Sequence, residues 1–509
     1  MMKDFQSITP EQAGLRSENV SAFLDSVNQR KINLHSFMLL KDGKLFAEGY
    51  YKPYSATSIH RLYSASKCFV TLAIGKLLGE SRIRLSDTLI CYFSEYETEC
   101  KSEELKRLTI EQALTMTIPT WKDICFNGKP NGATSPTRFL ESEWIRAFFT
   151  QDIESNKPNG TLFSFNSSIS FVLTVLIEKI TGKTLLEYLR PILDEIGVSR
   201  SVECVKTPDG YSWGSGGVLC TLRDFAKITC LFMRKGEING KQLLPREYME
   251  RAVSKLVDPV YDGYPRHFDG FGYHIWTHAY GFAIYGEGDQ AAYCFPDKDF
   301  IFVCQADTLC AIDYFSSTLY YQIVEQLYKP LGSPIADNAT AYHALTEKLA
   351  CLSLWHDFPS VQSDFEQRIN GKKFRLIDSD MGIDWFTLRF SKDKNVLIYQ
   401  NARGVKEITF GTTEFVETEF PETHYYDRTI GKPSGCALPA LAFGSWTMTN
   451  RFLLQVNFTH THIGHLAMTF EFLGEEVAVR FVKMAEGILG EYQGYAYGKM
   501  ENDGGDEII

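Results

Sequence analysis

A serine and a lysine, residues that can act as a nucleophile and its base, lie one helical turn apart in the first part of the chain. Ser64 and Lys67 bound the sequence Ser-Ala-Ser-Lys, and an apolar helical pattern follows directly. A separation of three residues places both side chains on one helix face. A serine hydroxyl is a weak nucleophile until a base takes its proton, and lysine can do so when desolvation or nearby positive charge lowers its pKa. The spacing indicates a lysine-activated serine; the alternative is a capping serine before a surface lysine.

The elements that would position this pair can be predicted from hydrophobic spacing. Two strands, Leu34 to Leu40 and Lys44 to Tyr51, flank a tight Asp-Gly turn. Apolar residues recur at helical spacing from Phe69 to Leu78, and Gly79 stands where that helix would end. Ser64 is therefore expected at a helix N-terminus, where backbone NH groups and the helix dipole favour a developing negative charge.

Beyond this helix, the first 333 residues alternate between helical and strand patterns. Helices are predicted at Thr109 to Met116, Glu141 to Phe149, Ile169 to Ile180, Leu222 to Arg234 and Asp313 to Leu327, and strands at Tyr280 to Tyr285, Ala291 to Phe295 and Phe300 to Gln305. Strands at both ends of the segment predict one sheet around an inserted helical lobe at about residues 80–205. A cleft between lobe and sheet would be the natural substrate site.

The chain is predicted to continue into a second domain. Residues 334–372 are assigned to a connecting helix and linker, with the helix at Ala341 to Leu352. From Phe374 onward, short alternating strands are typical of a small β barrel or sandwich, assigned to residues 373–509.

Composition and charge exclude several classes of protein. The 509 residues are 44% apolar, and 63 acidic against 52 basic side chains give a net charge of -11, which argues against nucleic acid as a partner. No apolar run serves as a signal peptide or membrane span, so a cytoplasmic protein with no membrane partner is expected. The 12 cysteines, including Cys68, Cys230, Cys304 and Cys351, are expected to be reduced core residues.

The stretch His60 to Leu78 resembles the active-site helix of the serine β-lactamase and penicillin-binding protein superfamily, particularly its class C-like esterases, amidases and D-aminopeptidases. The resemblance continues through Leu85 to Asp87, Leu114 to Met116, Phe163 to Gly182, Gly214 to Ala226, Gln242 to Pro245 and Gly286 to Pro296. It implies an α+β fold, β-lactamase/transpeptidase-like, with an antiparallel sheet flanked by helices plus a helical lobe, followed by a C-terminal mostly-β domain. It also implies an acyl-enzyme at Ser64, with Lys67 as the general base.

The second motif of the superfamily carries a tyrosine that works with the lysine in proton transfer. The matching segment here is Phe163 to Ser167, and Phe165 occupies the tyrosine position. Phenylalanine has no proton to exchange. Loss of a positioned acid-base group costs about 100-fold to 10,000-fold in rate, so the resemblance implies a slow enzyme. Asn166 and Ser167 would orient the substrate or Lys67.

The third motif lies on the strand beside the serine, where the superfamily has lysine or histidine, any residue, and glycine. The counterpart is Ile284 to Gly286, which lacks the basic residue. Gly286 would let substrate approach, and the backbone NH of Glu287 would complete an oxyanion hole with that of Ser64. Asp289 is expected to add negative charge near the cleft, which disfavours anionic β-lactams. Tyr285 either lines the wall or core, or reaches into the cleft as a proton donor.

Other candidate sites are weaker. His460, His462 and His465 form the densest histidine cluster, and His460 and His462 would share a strand face with spacing that can hold zinc. No carboxylate lies within the cluster, and solvent-facing strand histidines are the favoured interpretation. His274 and His278 could pair only on a helix, and an extended segment is predicted there. The chain lacks a nucleophile elbow, since Gly214 to Gly217 has the wrong spacing, and it lacks a phosphate-binding loop and a dinucleotide fingerprint. Neither a metal nor another cofactor is expected.

The sequence therefore predicts a serine hydrolase that acts on a small ester or amide through an acyl-enzyme at Ser64. Turnover is expected to be slow because Phe165 replaces the usual tyrosine. The alternative is a catalytically impaired homologue that uses the cleft for ligand binding or regulation.

Overall fold

The chain divides into two compact units, residues 1–354 and 355–509. The computed structural model describes residues 4–118, 120, 123, 143–151, 153, 158–259, 265–308, 318–354, 360–421, 437–459, 461, 463–485 and 492–501. The first unit extends past residue 333, so it contains the helix that the sequence analysis assigns to a connecting segment. That helix is tied to the N-terminal region, because Lys348 Nζ donates to the Asp25 carboxylate at 2.6 Å.

The first unit combines strands and helices in the described part of the chain. Its strands are β1 (Leu34–Lys41), β2 (Lys44–Tyr50), β3 (Ile59–Arg61), β4 (Glu203–Cys204), β5 (Val218–Thr221), β6 (Glu237–Ile238), β7 (Lys241–Gln242), β8 (Phe268–Phe271), β9 (Trp276–His278), β10 (Gly281–Gly286), β11 (Gln290–Phe295) and β12 (Phe300–Ala306). Its helices are α1 (Pro10–Ala13), α2 (Ser17–Gln29), α3 (Lys67–Gly79), α4 (Glu103–Lys106), α5 (Ile110–Leu114), α6 (Trp144–Thr150), α7 (Ser167–Thr181), α8 (Leu185–Glu195), α9 (Leu222–Met233), α10 (Arg246–Ala252), α11 (Thr318–Gln322) and α12 (Ala339–Ala350).

The central sheet joins the two ends of this unit. Its strand order is β2-β1-β12-β11-β10-β9-β8, and every ladder is antiparallel. β1 pairs with β12, so Phe37 lies opposite Cys304. All seven residues of β12 are buried, which requires cover on both faces because successive side chains alternate. The predicted hairpin and the predicted sheet around a helical lobe are confirmed.

Local differences from the expected elements have clear causes. Ser64 does not begin the α-helix itself: it lies in a 3-10 turn, Tyr63–Ser66, that leads directly into α3. The predicted closing helix is α11 followed by a π-helical segment, Ile323–Tyr328, and its first residues lie outside the described chain. Cys68, Cys230 and Cys304 are buried as expected, but Cys351 is exposed because it follows the last turn of α12.

The second unit is a strongly curled antiparallel sheet. Its strand order is β16-β15-β14-β13-β22-β21-β20-β19-β18-β17, and a bridge between Gly411 and Phe443 brings the ends of the sheet together. Its elements are α13 (Phe365–Ile369), β13 (Lys373–Ile377), β14 (Ile383–Arg389), β15 (Asn395–Asn401), β16 (Gly404–Phe410), β17 (Val416–Phe420), β18 (Leu438–Met448), β19 (Arg451–Phe458), β20 (Gly464–Leu473), β21 (Glu476–Ala485) and β22 (Gly494–Met500).

The interior of the curled sheet is filled mainly by aromatic and aliphatic side chains. The solvent-facing interpretation is wrong for His465, which is buried in β20 opposite the equally buried Asn457. His465 and Asn457 lie on the face of the sheet opposite to its apolar interior, because their neighbours Leu466 and Val456 belong to the interior cluster. Burial on that outer face is hidden from local pattern analysis. His460 and His462 lie outside the described residues.

Candidate active site

Ser64 is held on a strained turn between a strand and a helix. The preceding residue, Tyr63, has a φ of 48° although it is not glycine, and such backbone strain costs about 1–3 kcal/mol. Ser64 is half-buried, whereas Lys67, the first residue of α3, is 1% exposed. The turn thus leaves the hydroxyl within reach of a ligand and keeps the amine out of water.

Three oxygens lie around the Lys67 amine. Nζ is 3.0 Å from Ser64 Oγ, 3.1 Å from Ser167 Oγ and 2.7 Å from the backbone carbonyl of Ser215. A neutral amine has two N–H donors and one lone pair. A carbonyl can only accept, so it takes one N–H. If Ser167 takes the second, the lone pair is directed at the Ser64 hydroxyl, which is the arrangement that proton removal requires.

The N-terminus of α7 supplies the second oxygen. Ser167 begins α7, and Asn166 precedes it as the N-cap, with its Oδ1 accepting from the Ser168 NH at 3.0 Å. The carboxylate of Asp123 accepts from the Ser167 NH at 2.5 Å and from the Ser168 hydroxyl at 2.6 Å. Of the two predicted orienting residues, Ser167 contacts Lys67, and the Asn166 side chain caps the helix.

Phe165 lies directly against the lysine. Lys67 Nζ is 4.8 Å from the centroid of the Phe165 ring, over its face. The ring also stacks on Trp276, with centroids 6.0 Å apart and an interplanar angle of 16°. An aromatic face attracts a cation by about 0.5–2 kcal/mol. Phe165 therefore stabilises the ammonium form of Lys67, but it can neither give nor accept a proton.

Gly286 places the end of β10 against the serine turn. A Cβ at this position would lie 2.1 Å from the carbonyl oxygen of Leu62 and 2.9 Å from the Ala65 nitrogen. Only glycine permits so close an approach. Glu287, which follows, is half-buried. The third predicted motif and the Ser64 turn are thus brought together.

Gly286→Ala is expected to reduce acylation of Ser64 by at least about 10-fold, because the backbones must separate to relieve the clash, and a displacement near 1 Å has large catalytic effects. Rates of serine labelling by an active-site phosphonylating reagent would measure this. Gly332→Ala is the matched control, since a Cβ there meets nothing within 4 Å. Equal rates for both variants would contradict the proposed close packing.

Asp289 and Tyr285 belong to a buried network. The Asp289 carboxylate accepts hydrogen bonds from Thr308 Oγ1 at 2.6 Å and from the Tyr293 hydroxyl at 3.1 Å, and burial raises the pKa of the carboxyl. Tyr285 is buried too, with its ring edge-on to Phe268. The expectation that Asp289 adds charge to the cleft is therefore wrong, because its carboxyl is enclosed under the β10–β11 turn. Tyr285 is a core tyrosine, the first of its two predicted roles.

A buried histidine lies behind the lysine. His274 Nδ1 is 3.3 Å from Thr71 Oγ1, and its Nε2 is 3.1 Å from Ser170 Oγ. Burial, together with the charge of Lys67, lowers the pKa of His274 to about 3. The imidazole is therefore neutral. As predicted, the segment around His274 is not helical, but the extended conformation expected there is found only in β9: His274 has a φ of 59° and lies in the tight turn between β8 and β9, where the Gly272 NH donates to the Ile275 carbonyl at 2.7 Å.

Neutral buried histidines predict that the protein loses stability in mild acid. Burial lowers the pKa of His274 to about 3 and that of His278 to about 4, whereas the unfolded chain has values near 6.5. The unfolded state then binds more protons between these values, so the stabilising contribution is complete above about pH 6.5 and is lost as the pH falls toward 4. The expected loss is about 1 kcal/mol per pH unit per histidine.

Urea denaturation at pH 7.5, 6.0 and 5.0 would measure this loss. His274→Gln should flatten the pH dependence, and His343→Gln, at an exposed helix position, should leave it unchanged. A free energy of unfolding that stays constant from pH 7.5 to 5.0 would show that these imidazoles are not held neutral.

Several residues of the site were not predicted. Asp123 and His274 have no local sequence signal, because they reach Lys67 or α7 from distant loops. Ser215 contributes a backbone carbonyl, which no residue type reveals. Within the described ranges, no three or more His, Cys, Asp or Glu side chains cluster closely enough to hold a metal ion. None of the helices in the described part of the chain combines the length and apolar character needed to cross a bilayer.

The antiparallel sheet and helical lobe, with serine and lysine one turn apart, define a β-lactamase/transpeptidase-like fold. The chain belongs to the beta-lactamase family of serine hydrolases, whose sequence profile matches residues 19–306. The resemblance read from the sequence is therefore confirmed.

Several named proteins are similar to this chain at low identity. A 6-aminohexanoate-dimer hydrolase from Paenarthrobacter ureafaciens is 22% identical over 259 residues, which cover 48% of this chain and 64% of that protein, slightly under two thirds of its length. A penicillin-binding protein homologue from Caulobacter crescentus has a TM-score of 0.48 and 13% identity, over 62% of this chain and 98% of that one. An octameric homologue from Pyrococcus abyssi has a TM-score of 0.45 and 16% identity, over 95% and 99%.

Proposed function

We propose that the protein hydrolyses a small ester or amide through an acyl-enzyme at Ser64, and that turnover is slow because Phe165 replaces a proton-transferring residue. The observation that carries this proposal is the 3.0 Å contact between Lys67 Nζ and Ser64 Oγ, with a second and third oxygen fixing the amine. The name of one relative, 6-aminohexanoate-dimer hydrolase, supports hydrolysis as the reaction type.

The first half of the reaction transfers the acyl group to Ser64. Lys67 takes the hydroxyl proton as Oγ attacks the substrate carbonyl carbon, and the carbonyl oxygen becomes an oxyanion. The backbone NH groups of Ser64 and Glu287 would hold that oxyanion. The tetrahedral intermediate then collapses, the bond to the leaving group breaks, and the Lys67 ammonium returns a proton to the departing alcohol or amine.

The second half of the reaction is expected to limit the rate. Water must lose a proton as it attacks the acyl ester, and a positioned acid-base group accelerates such a step by about 100-fold to 10,000-fold. Phe165 cannot do this, and the ring face instead favours the ammonium form of Lys67, which is not a base. The acyl-enzyme should therefore accumulate.

A phosphonylating reagent would test the first half. Incubation with a fluorophosphonate, followed by intact mass and peptide mapping, should show one adduct per chain on Ser64 with loss of fluoride. Ser64→Ala should show none. An adduct confined to another serine, or no adduct on the folded wild-type protein, would reject the proposed nucleophile.

Phe165 also favours the second candidate function, a catalytically impaired homologue that binds a ligand in the cleft. A p-nitrophenyl ester separates the two. The proposed enzyme releases about one equivalent of nitrophenol in a burst and then continues slowly. A protein that only binds releases nitrophenol no faster than Ser64→Ala does.

A further inference from the structure

A buried arginine lies beside the serine turn. Arg61 ends β3 and is 1% exposed, although it carries a permanent charge. Its guanidinium lies between two aromatic rings, 4.5 Å from the Tyr63 centroid and 4.3 Å from the Trp213 centroid. Its Nε donates to the backbone carbonyl of Gly216 at 2.6 Å. Charged side chains are rarely buried without a specific use.

The carbonyl that Arg61 holds is adjacent to the one that holds the lysine. Lys67 Nζ donates to the Ser215 carbonyl at 2.7 Å, and Arg61 Nε donates to the carbonyl of the next residue, Gly216. Gly216 and Gly217 both donate to the Trp213 carbonyl, at 3.1 and 2.7 Å, so these residues form a tight turn. The arginine thus fixes the turn that orients the base.

The turn at residues 213–217 is also held at its C-terminal end, where Val218 bonds to the segment that contains Ser64. The Val218 NH donates to Ser66 Oγ at 3.0 Å, and the Val218 carbonyl accepts from the Leu62 NH at 2.8 Å. The bond between Leu62 and Val218 continues the ladder between β3 and β5. Any shift of the Ser215 carbonyl would therefore have to overcome restraints on both sides, and Arg61 supplies the restraint on Gly216, the residue directly after Ser215.

The charge of Arg61, like its hydrogen bond to the turn, favours Lys67 acting as a base. A positive neighbour disfavours the ammonium form of a lysine, whereas a carboxylate favours it. The Asp123 carboxylate, at the start of α7, opposes Arg61, and the neutral His274 contributes no charge. Glu178 of α7 faces the same turn through the Ser212 NH, at 3.2 Å. Arg61 is a cation on this turn, and its charge is opposite to that of these two carboxylates.

We propose that Arg61 is a positioning residue for the Lys67 base: it fixes the turn whose Ser215 carbonyl orients the amine, and its charge favours the unprotonated amine. The inference rests on the proposed acylation at Ser64. Arg61 does not touch the reacting atoms itself, so it acts only through Lys67 and the turn.

The pH dependence of serine labelling separates the two effects. In full-length Arg61→Met, the rate of fluorophosphonate labelling should fall about 10-fold at pH 7.5, and its pH midpoint should move up by about half a unit to one unit, because one unit removes about 90% of the unprotonated amine. Arg61→Lys keeps the charge but loses the flat guanidinium. It should retain the wild-type midpoint with a lower plateau rate.

Arg368→Met is the matched control, because it removes an arginine stacked 4.6 Å from the Phe365 centroid in the second unit. It should label like the wild type. If the wild type itself does not label, the proposed function fails. If the wild type labels and Arg61→Met has the same rate and midpoint, only the inference about Arg61 is overturned.

A purely structural role for Arg61 predicts a different pattern. Both variants would then lose active protein and melt at lower temperature, with unchanged pH midpoints in the folded fraction, and this result also overturns the inference. If Arg61→Met does not fold, Arg61→Lys carries the test, and a wild-type plateau rate in that variant overturns the positioning role.

Discussion

Lys67→Met is expected to reduce the rate of Ser64 acylation by about 1,000-fold, within the range for loss of a general base. The variant removes the group 3.0 Å from the serine hydroxyl, while methionine fills the same buried space. Methionine leaves the buried Ser215 carbonyl without the Lys67 donor, so a loss of about 1–3 kcal/mol in stability is expected with the fold retained. Stopped-flow labelling with a fluorophosphonate would measure the loss.

Lys76→Met is the matched control for this prediction. Lys76 lies on the same helix and contacts an aromatic ring as Lys67 does, with its Nζ 4.0 Å from the Tyr188 centroid. Lys76 lies in the last turn of α3, at the end away from Ser64, and pairs with Glu80. The Lys76→Met variant should acylate Ser64 within about twofold of the wild-type rate. Losing the surface ion pair should cost only about 0–1 kcal/mol of folding stability. If Lys67→Met acylates within 10-fold of the wild type, another group is the base.

Phe165→Tyr is expected to raise steady-state ester turnover by at least about 10-fold, by restoring a group that can exchange a proton with Lys67. The gain should lie below the full range for acid-base groups, because the amine lies over the ring face and the new hydroxyl lies in the ring plane. Acylation itself should change little. Burst kinetics with a p-nitrophenyl ester would show a similar burst followed by a faster steady phase.

Phe165→Leu is the matched control, because it changes the same position without adding a hydroxyl. Leucine removes the ring over the Lys67 amine and adds no acid-base group, so the steady phase should not accelerate. A faster steady phase in the leucine variant would mean that the aromatic ring itself slows deacylation, and unchanged turnover in the tyrosine variant would reject the proposed role of this position.

Much of the fold follows from sequence patterns because the relevant signals are local. The Asp-Gly hairpin and the apolar spacing of α3 predict their elements within a few residues. The order of strands along the chain predicted that strands from both ends of the first unit share one sheet, whereas the particular pairing of β1 with β12 was not predicted. Ser64 and Lys67 could be found because three positions separate them.

The rest of the site depends on contacts between distant segments. Whether Asn166 or Ser167 faces the lysine depends on which of them is the N-cap of α7, a difference of one residue that periodicity does not resolve. The Ser215 carbonyl and the Asp123 carboxylate reach the site through turns whose geometry is set by tertiary packing. The burial of Asp289 likewise depends on a distant segment, because its carboxylate accepts from Thr308, which follows β12, as well as from the nearby Tyr293 of β11.

The pairing of β1 with β12 has a consequence for how the polypeptide matures on the ribosome. Hairpin β1–β2 emerges early, yet one edge of β1 has no neighbour until the residues around Cys304 have been synthesised. Such long-range closure is slow, and it leaves an apolar edge available to other chains in the interval. A nascent chain that stalls before Phe300 would therefore carry Ser64, the proposed nucleophile, without the completed sheet that holds it, and would be prone to aggregate.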